Sequence, residues 1–164
     1  ASTNMEIFVE DLGILTDDVI GLKKKLDCAG MKVMQFAFDS DWSKMYLPHN
    51  YEKNCVAYIG THDNNTFKGY LEEAGLDKQK LFADYVGASV ENLDDIIEKT
   101  IRSVVASPAN LAIITIQDIL GLDSKARMNI PGTMSGNWLF QLKDLDFNKK
   151  LEELSKLVEI YERY

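Results

Sequence analysis

Short apolar segments that alternate with helical patterns constrain the fold of this chain most strongly. The segments are rich in β-branched and aromatic residues and too short for helices, so they predict buried strands. Four such strands are predicted, at residues 7–9, 32–38, 55–59 and 111–116. The last segment, LAIITI, is apolar throughout, which predicts cover on both faces of the sheet.

Helical patterns fill the intervals between these strands. The first predicted helix has its cap at Thr16 and its stop at Gly30, and the second is indicated by helical spacing over 77–86. The third has its cap at Ser89 and its stop at Pro108, and the last is indicated by an apolar stripe from about Asn148. An order of strand, helix, strand predicts parallel strands joined by right-handed crossovers. We therefore predict an α/β fold, with residues 1–164 as a single domain.

The net charge of the chain indicates which classes of partner it does not bind. The formal net charge is −8 over 164 residues, and no stripe of Lys and Arg occurs. Nucleic acids and anionic membranes are bound by clustered positive charge, so we expect neither as a partner. No apolar stretch reaches the ~20 residues of a membrane span, and no signal peptide is recognisable. We predict a cytoplasmic protein, and we interpret residues 1–4 as including a cloning-derived addition.

Cysteine and histidine spacing gives no sign of a metal site. Cys28 and Cys55 form no CxxC pair, and His49 and His62 show no metal-ligand spacing with them. Buried free thiols in a reducing compartment are the simplest interpretation. The chain has no phosphate loop, dinucleotide fingerprint, haem motif or serine elbow, so we expect no cofactor.

Polar residues follow each predicted strand directly. They are Glu10 and Asp11 after the first, Asp39 after the second, residues 60–66 (GTHDNNT) after the third, and Gln117 and Asp118 after the last. Active sites of parallel α/β proteins collect at the carboxyl ends of the strands. Helix capping explains Asp11 and Asn65 equally well. Four consecutive strand ends with such residues nevertheless favour a site.

Carboxylates on neighbouring loops suit the chemistry of glycosidic bonds. One carboxyl group protonates the leaving oxygen while others stabilise an oxocarbenium-like centre. Trp42, Tyr46 and Tyr51 lie in the loop after the second strand and are candidates to face sugar rings. A place in the core or on the surface explains each of these aromatics equally well.

Six sequence blocks resemble one known enzyme family. They are VEDLG at 9–13, GMKVMQFAF at 30–38, YLPHNY at 46–51, GTHDNNT at 60–66, QDILGL at 117–122 and RMNIPGTMSGNW at 127–138. Blocks of this kind stand in this order in amylomaltases, the 4-α-glucanotransferases or disproportionating enzymes of glycoside hydrolase family 77. The resemblance covers nearly the whole chain, and GTHDN and RMNIPGT are its most specific parts.

The resemblance implies a retaining glucanotransferase on a (β/α)₈ barrel, of which this chain is the C-terminal half with four parallel strands. Glu10 matches the acid/base and Asp63 the carboxylate that stabilises the transition state. His62 matches the neighbouring sugar-contacting histidine. We expect His62 and Asn64 to donate hydrogen bonds to Asp63.

Further residues match the sugar subsites of the family. Phe36 and Asn129 match residues that line these subsites, and Asn64 belongs to the same motif as Asp63. Ser40 stands where relatives often carry an acidic residue, so either Asp39 or Asp41 remains a candidate for a sugar contact. The implied substrate is a maltooligosaccharide or a glycogen-type α-glucan, with no metal and no cofactor.

A complete barrel needs ~250 residues and eight strands, and the family's nucleophilic Asp precedes Glu10 on a strand outside this sequence. We therefore expect the isolated chain to be inactive. We also expect its open sheet edges to self-associate or to pair with the N-terminal half. Two alternatives remain: an α-glucan hydrolase of similar barrel fold, and a non-catalytic carbohydrate-binding fragment.

Overall fold

A computed structural model describes residues 7–13, 15–143 and 147–163 of the chain. The predicted addition at residues 1–4 lies outside these ranges. The elements are α1 (Asp17–Leu26), β1 (Gly30–Val33), β2 (Cys55–Tyr58), α2 (Phe67–Ala74), α3 (Leu76–Val86), α4 (Leu93–Val105), β3 (Leu111–Ile113), α5 (Ile116–Ile119) and α6 (Asn148–Ile160). Short 3₁₀ turns occupy Met34–Phe36, Asp41–Tyr46, Pro48–Asn50 and Ser124–Ala126.

The three strands form one parallel sheet in the order β1-β2-β3. Gly30 pairs with Cys55, and Val56 pairs with Leu111, so the strands keep their sequence order across the sheet. The helices α2, α3 and α4 connect β2 to β3, whereas the long segment between β1 and β2 contains only 3₁₀ turns. The α/β class and the parallel sheet predicted from the sequence are therefore confirmed.

The segment at residues 7–9 is not the fourth strand that the sequence predicts. Phe8 forms a single parallel bridge with Ala29, and the Val9 N–H donates to the Ala29 carbonyl at 2.9 Å. The side chains of Ile7 and Phe8 are more than half exposed. Because little apolar surface is buried here, the ladder ends after one bridge. The segment nevertheless runs parallel to β1 along its free edge.

The second predicted strand is displaced and the last is shorter than expected. The strand predicted at 32–38 begins at Gly30 and ends at Val33, where the chain turns into Met34–Phe36. The strand predicted at 111–116 ends at Ile113. The Thr115 hydroxyl then accepts a hydrogen bond from the Asp118 N–H and caps α5. A helix start therefore replaces the end of the predicted strand.

The two faces of the sheet differ in burial. Ala57 and Ala112 lie in register and pack with the core that α2, α3 and α4 cover. Leu111 and Ile113 alternate with Ala112 and point to the other face, where each is 40% exposed. The prediction that β3 is covered on both faces is therefore wrong for the described residues.

The helical core contains Phe67 of α2, Phe82 of α3 and the apolar face of α4. The cap of α4 is Asn92 and not Ser89, because the Asn92 side chain accepts the Asp95 N–H. The first helix ends at Leu26, with Asp27 in the left-handed conformation. Gly30 is therefore the first residue of β1 and not the stop of α1. The apolar stripe of α1 (Val19, Leu22 and Leu26) is exposed.

Arg163 joins the C-terminal end of the described chain to the core. Its guanidinium donates hydrogen bonds to the carbonyls of Val105, the last residue of α4, and of Ser107 and Ala109, which follow the helix. These carbonyls have no helical partners of their own, so the guanidinium takes the place of a C-cap. Elsewhere in the chain, Cys28 and Cys55 are free and buried, as the sequence predicts.

Candidate functional site

The loop at residues 60–66 leaves the carboxyl end of β2 and packs against the neighbouring turn. The Gln35 N–H donates to the Ile59 carbonyl at 3.0 Å, and Gln35 Nε2 donates to the Asn65 carbonyl at 2.8 Å. A β-carbon at Gly60 would collide with Gln35 Nε2, so glycine permits this close approach. Gln35 thus fixes both ends of the loop, with its backbone N–H at Ile59 and its buried side chain at Asn65.

Asp63 is held by residues that follow it by more than sixty positions. Asn129 Nδ2 donates to Asp63 Oδ1 at 2.6 Å. Arg127 Nη2 donates to the Asp63 carbonyl at 2.8 Å, and Arg127 Nε donates to the Asn129 carbonyl at 2.8 Å. We call these three residues the Arg127 clasp. It joins the two most specific sequence blocks, GTHDN and RMN, in one network.

The hydrogen-bond donor to Asp63 differs from the one expected. Asn64 turns its side-chain carbonyl back to Thr61 and accepts from the Thr61 N–H at 2.8 Å and from its hydroxyl at 3.0 Å. Among the described residues, Asn129 supplies the donor that was expected from Asn64. His62 Nε2 lies 3.4 Å from Asp63 Oδ1, and both side chains are about half exposed.

Trp138 lies against His62 and has no role in the sequence-based prediction. The centroids of the two rings are 5.2 Å apart, and the ring planes are tilted by 35°. Trp138 and His62 line a narrow cleft together with Thr61, Arg127 and Met128. The cleft is therefore bounded by an aromatic ring, an imidazole and the backbone of the Arg127 clasp.

Glu10 and Asp11 are neighbours with different surroundings. Asp11 Oδ1 accepts the Met31 N–H at 2.6 Å, and Asp11 Oδ2 pairs with Lys23 Nζ at 2.8 Å. Asp11 therefore connects its own segment to β1 and α1 through these contacts and is not a helix cap. Glu10 is exposed, and within the described ranges its carboxylate has no hydrogen bond or ion pair. Residues 7–9 run parallel to β1 and β2. Glu10 and the 60–66 loop therefore both lie at the carboxyl ends of these segments, on the same side of the sheet.

Phe36 and Asp39 lie on the turn after β1. Phe36 is half-buried and meets Tyr46 edge to face, with ring centroids 5.5 Å apart. Asp39 Oδ1 binds Lys78 Nζ at 2.9 Å, and the same ammonium donates to the Phe38 carbonyl. The Asp39 carboxylate is half exposed but already paired with a cation of α3.

The aromatics of the following loop fall into separate environments. Tyr51 is buried, and its hydroxyl donates to the Tyr46 carbonyl at 2.9 Å, so it belongs to the core. Tyr46 is partly buried and packs against that core. Trp42 is 89% exposed. Of the three aromatics proposed from the sequence, only Trp42 presents most of its ring to solvent.

Asp118 is buried beneath the site. Its Oδ1 accepts the N–H of Phe67, the first residue of α2, at 2.7 Å. Burial raises the pKa of the Asp118 carboxyl to about 6, although the Phe67 and Thr115 hydrogen bonds act in the opposite direction. Sequence reasoning took Asp118 as one of the strand-end residues, whereas here it joins α5 to α2.

Across residues 7–13, 15–143 and 147–163, no group of three His, Cys, Asp or Glu side chains is arranged to hold a metal ion. Within the same ranges, no helix has the length and apolar character needed to cross a bilayer.

Parallel strands with carboxylates, an imidazole and amides at their carboxyl ends define the general class of α/β enzyme sites. Sequence comparison identifies the particular family. The family model described as 4-alpha-glucanotransferase matches residues 1–146. The chain belongs to the 4-alpha-glucanotransferase family.

Individual relatives agree with this assignment. A 4-alpha-glucanotransferase of Clostridium butyricum is 44% identical over 162 residues, which are 98% of this chain and 33% of that protein. The chloroplastic/amyloplastic 4-alpha-glucanotransferase of Solanum tuberosum is 40% identical over 161 residues, 98% of this chain and 28% of the relative. The chain thus spans about a third of the length of these relatives.

Solved structures give the same answer at the level of the fold. Amylomaltase from Streptococcus agalactiae, determined in complex with acarbose, matches with a TM-score of 0.86 and 31% identity. The match covers 96% of this chain and 32% of that one. Amylomaltase from Corynebacterium glutamicum shares the fold, with a TM-score of 0.69 and 18% identity.

Proposed function

We propose that this chain supplies the acid/base and the stabilising carboxylate of a 4-α-glucanotransferase that moves α-1,4-glucan segments between maltooligosaccharides. The observation that carries the proposal is the Arg127 clasp on Asp63. It joins the two most specific motifs of the family at the carboxyl edge of a parallel sheet.

The proposed reaction is a retaining double displacement. Glu10 donates a proton to the departing glycosidic oxygen, while a carboxylate from a segment outside this chain bonds to the anomeric carbon. Glu10 then takes a proton from the 4-hydroxyl of the acceptor glucan, whose oxygen displaces that carboxylate. Glu10 is exposed and unpaired within the described chain, so it is free to exchange a proton with substrate.

Asp63 is proposed to stabilise the oxocarbenium-like transition state. Its Oδ1 accepts from Asn129, which fixes the direction of the carboxylate, and the Arg127 contact fixes its backbone. A negative charge that is already oriented stabilises developing positive charge without reorganisation. The clasp is therefore the means by which this geometry is maintained.

His62, Phe36, Asn129, Asp39 and Asn64 are the proposed sugar-contacting residues. His62 and Phe36 present partly exposed ring surface to a ligand. The Asp39 carboxylate and the Asn64 carbonyl already have protein partners, so any hydrogen bond from a sugar to them would be shared. The Asn129 amide likewise already donates to Asp63, so we rank His62 and Phe36 above the other three residues.

The remaining part of the barrel is the proposed partner of this chain. The chain spans about a third of its relatives. Its exposed apolar side chains near the free edge are Ile7, Phe8, Val19, Leu22 and Leu26. We propose that a segment outside this chain covers this edge and completes a (β/α)₈ barrel in one cytoplasmic enzyme. Light scattering of the isolated chain should then show self-association, and a monomer at high concentration would contradict this.

The catalytic proposal is tested with maltotriose in a complete 4-alpha-glucanotransferase that carries this chain. We expect Glu10→Gln to lower kcat by about 10²–10⁴-fold and Asp63→Asn by about 10²–10³-fold. Glu72→Gln and Asp84→Asn, at exposed carboxylates on α2 and α3, serve as matched controls and should leave kcat unchanged.

Product analysis separates transfer from hydrolysis. A glucanotransferase yields glucose together with a ladder of longer glucans, whereas a hydrolase yields only shorter products. The isolated 164-residue chain should show neither activity, because it holds no nucleophile for the glycosyl-enzyme. Near-normal turnover by Glu10→Gln, or disproportionation by the isolated chain, would refute the assignment.

A further inference from the structure

Trp138 occupies a backbone conformation that large side chains rarely adopt. Its φ is +62°, in the left-handed region. Gly132 and Gly136, in the same loop, also have positive φ, and glycine adopts this conformation without a steric penalty. A bulky aromatic residue in this region is a genuine outlier. The Trp138 N–H donates to the Met128 carbonyl at 2.7 Å, which holds the conformation in place.

Burial of the ring does not explain why tryptophan stands here. The residue is 61% exposed, so much of the indole surface remains in contact with water. Its described ring contact is with His62, at 5.2 Å between centroids. A strained residue that gains little burial is destabilising for the fold, and such strain is found most often where a ligand is bound.

The surroundings of the ring indicate what it contacts. Trp138 lines the cleft with His62, whose Nε2 lies 3.4 Å from Asp63 Oδ1. The Met128 carbonyl that holds Trp138 lies between Arg127 and Asn129, the two clasp residues that fix Asp63. The backbone that orients the carboxylate therefore also orients the indole.

We propose that Trp138 is a substrate-contacting residue whose indole, together with the His62 imidazole, forms an aromatic wall for one glucose unit of the bound α-glucan. The apolar C–H face of a pyranose packs on the indole, and the indole N–H is a donor for a sugar hydroxyl. This rests on the proposed function, since it names a further contact of the same site.

The test compares three variants of a complete enzyme carrying this chain, with maltotriose as the probe. Trp138→Gly removes the ring and relieves the backbone, whereas Trp138→Phe keeps an aromatic ring in the same place. Glu162→Gly is the matched control, because Glu162 is exposed, also has a positive φ of 51° and does not line the cleft. The readouts are KM, kcat and the midpoint of thermal unfolding.

We expect Trp138→Gly to raise KM by about five- to tenfold, the effect of losing one aromatic contact. Its unfolding midpoint should not fall, because glycine is favoured at this φ and offsets the lost His62 contact. Trp138→Phe should restore KM to within about threefold, and Glu162→Gly should leave KM unchanged. A purely structural tryptophan would instead lower the unfolding midpoint when replaced by glycine.

An unchanged KM in Trp138→Gly would overturn the aromatic wall, as would equal loss of affinity in the glycine and phenylalanine variants. The proposed function is judged separately by Asp63→Asn. If that variant is inactive while Trp138→Gly binds normally, the wall is wrong and the transferase assignment stands. If Asp63→Asn remains active, the transferase assignment fails, whatever the result at Trp138.

Discussion

The buried carboxyl group of Asp118 makes the stability of this fold depend on pH in an unusual direction. A carboxylate that accepts a backbone hydrogen bond is commonly stabilised in its charged form. Here desolvation outweighs the Phe67 hydrogen bond and raises the pKa of Asp118 from 3.8 to about 6. Between those values the folded protein binds more protons than the unfolded chain, so stability should fall as pH rises.

The size of the effect follows from the pKa. One pH unit corresponds to about 1.4 kcal/mol, so the rise from 3.8 to about 6 amounts to roughly 3 kcal/mol. The Asp118→Asn side chain carries no charge and keeps a carbonyl that accepts the Phe67 N–H. Relative to wild type, the variant should therefore gain about 3 kcal/mol in unfolding free energy from about pH 4 to about pH 7.

Urea unfolding followed by circular dichroism measures this difference at several pH values. The change with pH is the quantity to compare, because a buried amide N–H₂ without a partner shifts all values of the variant equally. Asp84→Asn, at an exposed carboxylate, is the control for the loss of a surface charge. A flat or falling difference for Asp118→Asn would mean that the hydrogen bonds balance or outweigh desolvation, and the reasoning would be refuted.

Further substitutions test three other contacts. Gly30→Ala places a methyl group against the Asp11–Lys23 ion pair, so the free energy of unfolding in urea should fall by about 1–3 kcal/mol. The control is Gly21→Ala on α1, where the methyl group meets open space. This variant should raise the free energy of unfolding by up to about 1 kcal/mol. Arg163→Ala removes hydrogen bonds to three carbonyls and should cost about 2–3 kcal/mol, with no loss indicating that the contacts are unimportant. Arg127→Lys lacks the planar guanidinium that binds the carbonyls of both Asp63 and Asn129. This variant should lower kcat of the complete enzyme by about 10–100-fold. An unchanged kcat would contradict the positioning role.

The parts of the fold that local sequence determines were predictable. The strands beginning at Cys55 and Leu111 start where the sequence places them, because polar residues precede compact apolar runs. The start of α5 was also readable, since Thr115 and Asp118 have capping-box spacing, but the continuous run LAIITI favoured a strand. The turn at Met34–Phe36 depends on Gln35 reaching Asn65, which is a non-local contact and leaves no local signal.

The candidate site was likewise predictable only in part. The motifs name Asp63 and its neighbours, but amide chemistry alone does not distinguish Asn64 from Asn129 as the donor to its carboxylate. The turn that directs Asn64 to Thr61 decides between them. Trp138 could not be assigned from its type and position, because its significance rests on its φ and on the ring of His62 beside it.

The Arg127 clasp also bears on how the site arises during protein synthesis. The ribosome releases a chain from its N-terminus, and domains begin to fold as they emerge. Asp63 therefore appears well before Arg127, and four helices and a strand emerge between them. The sheet can pair β1 with β2 while the loop that carries Asp63 still waits for its anchor. A nascent polypeptide arrested just beyond β3 should thus contain much of the scaffold but present this carboxylate in no fixed direction.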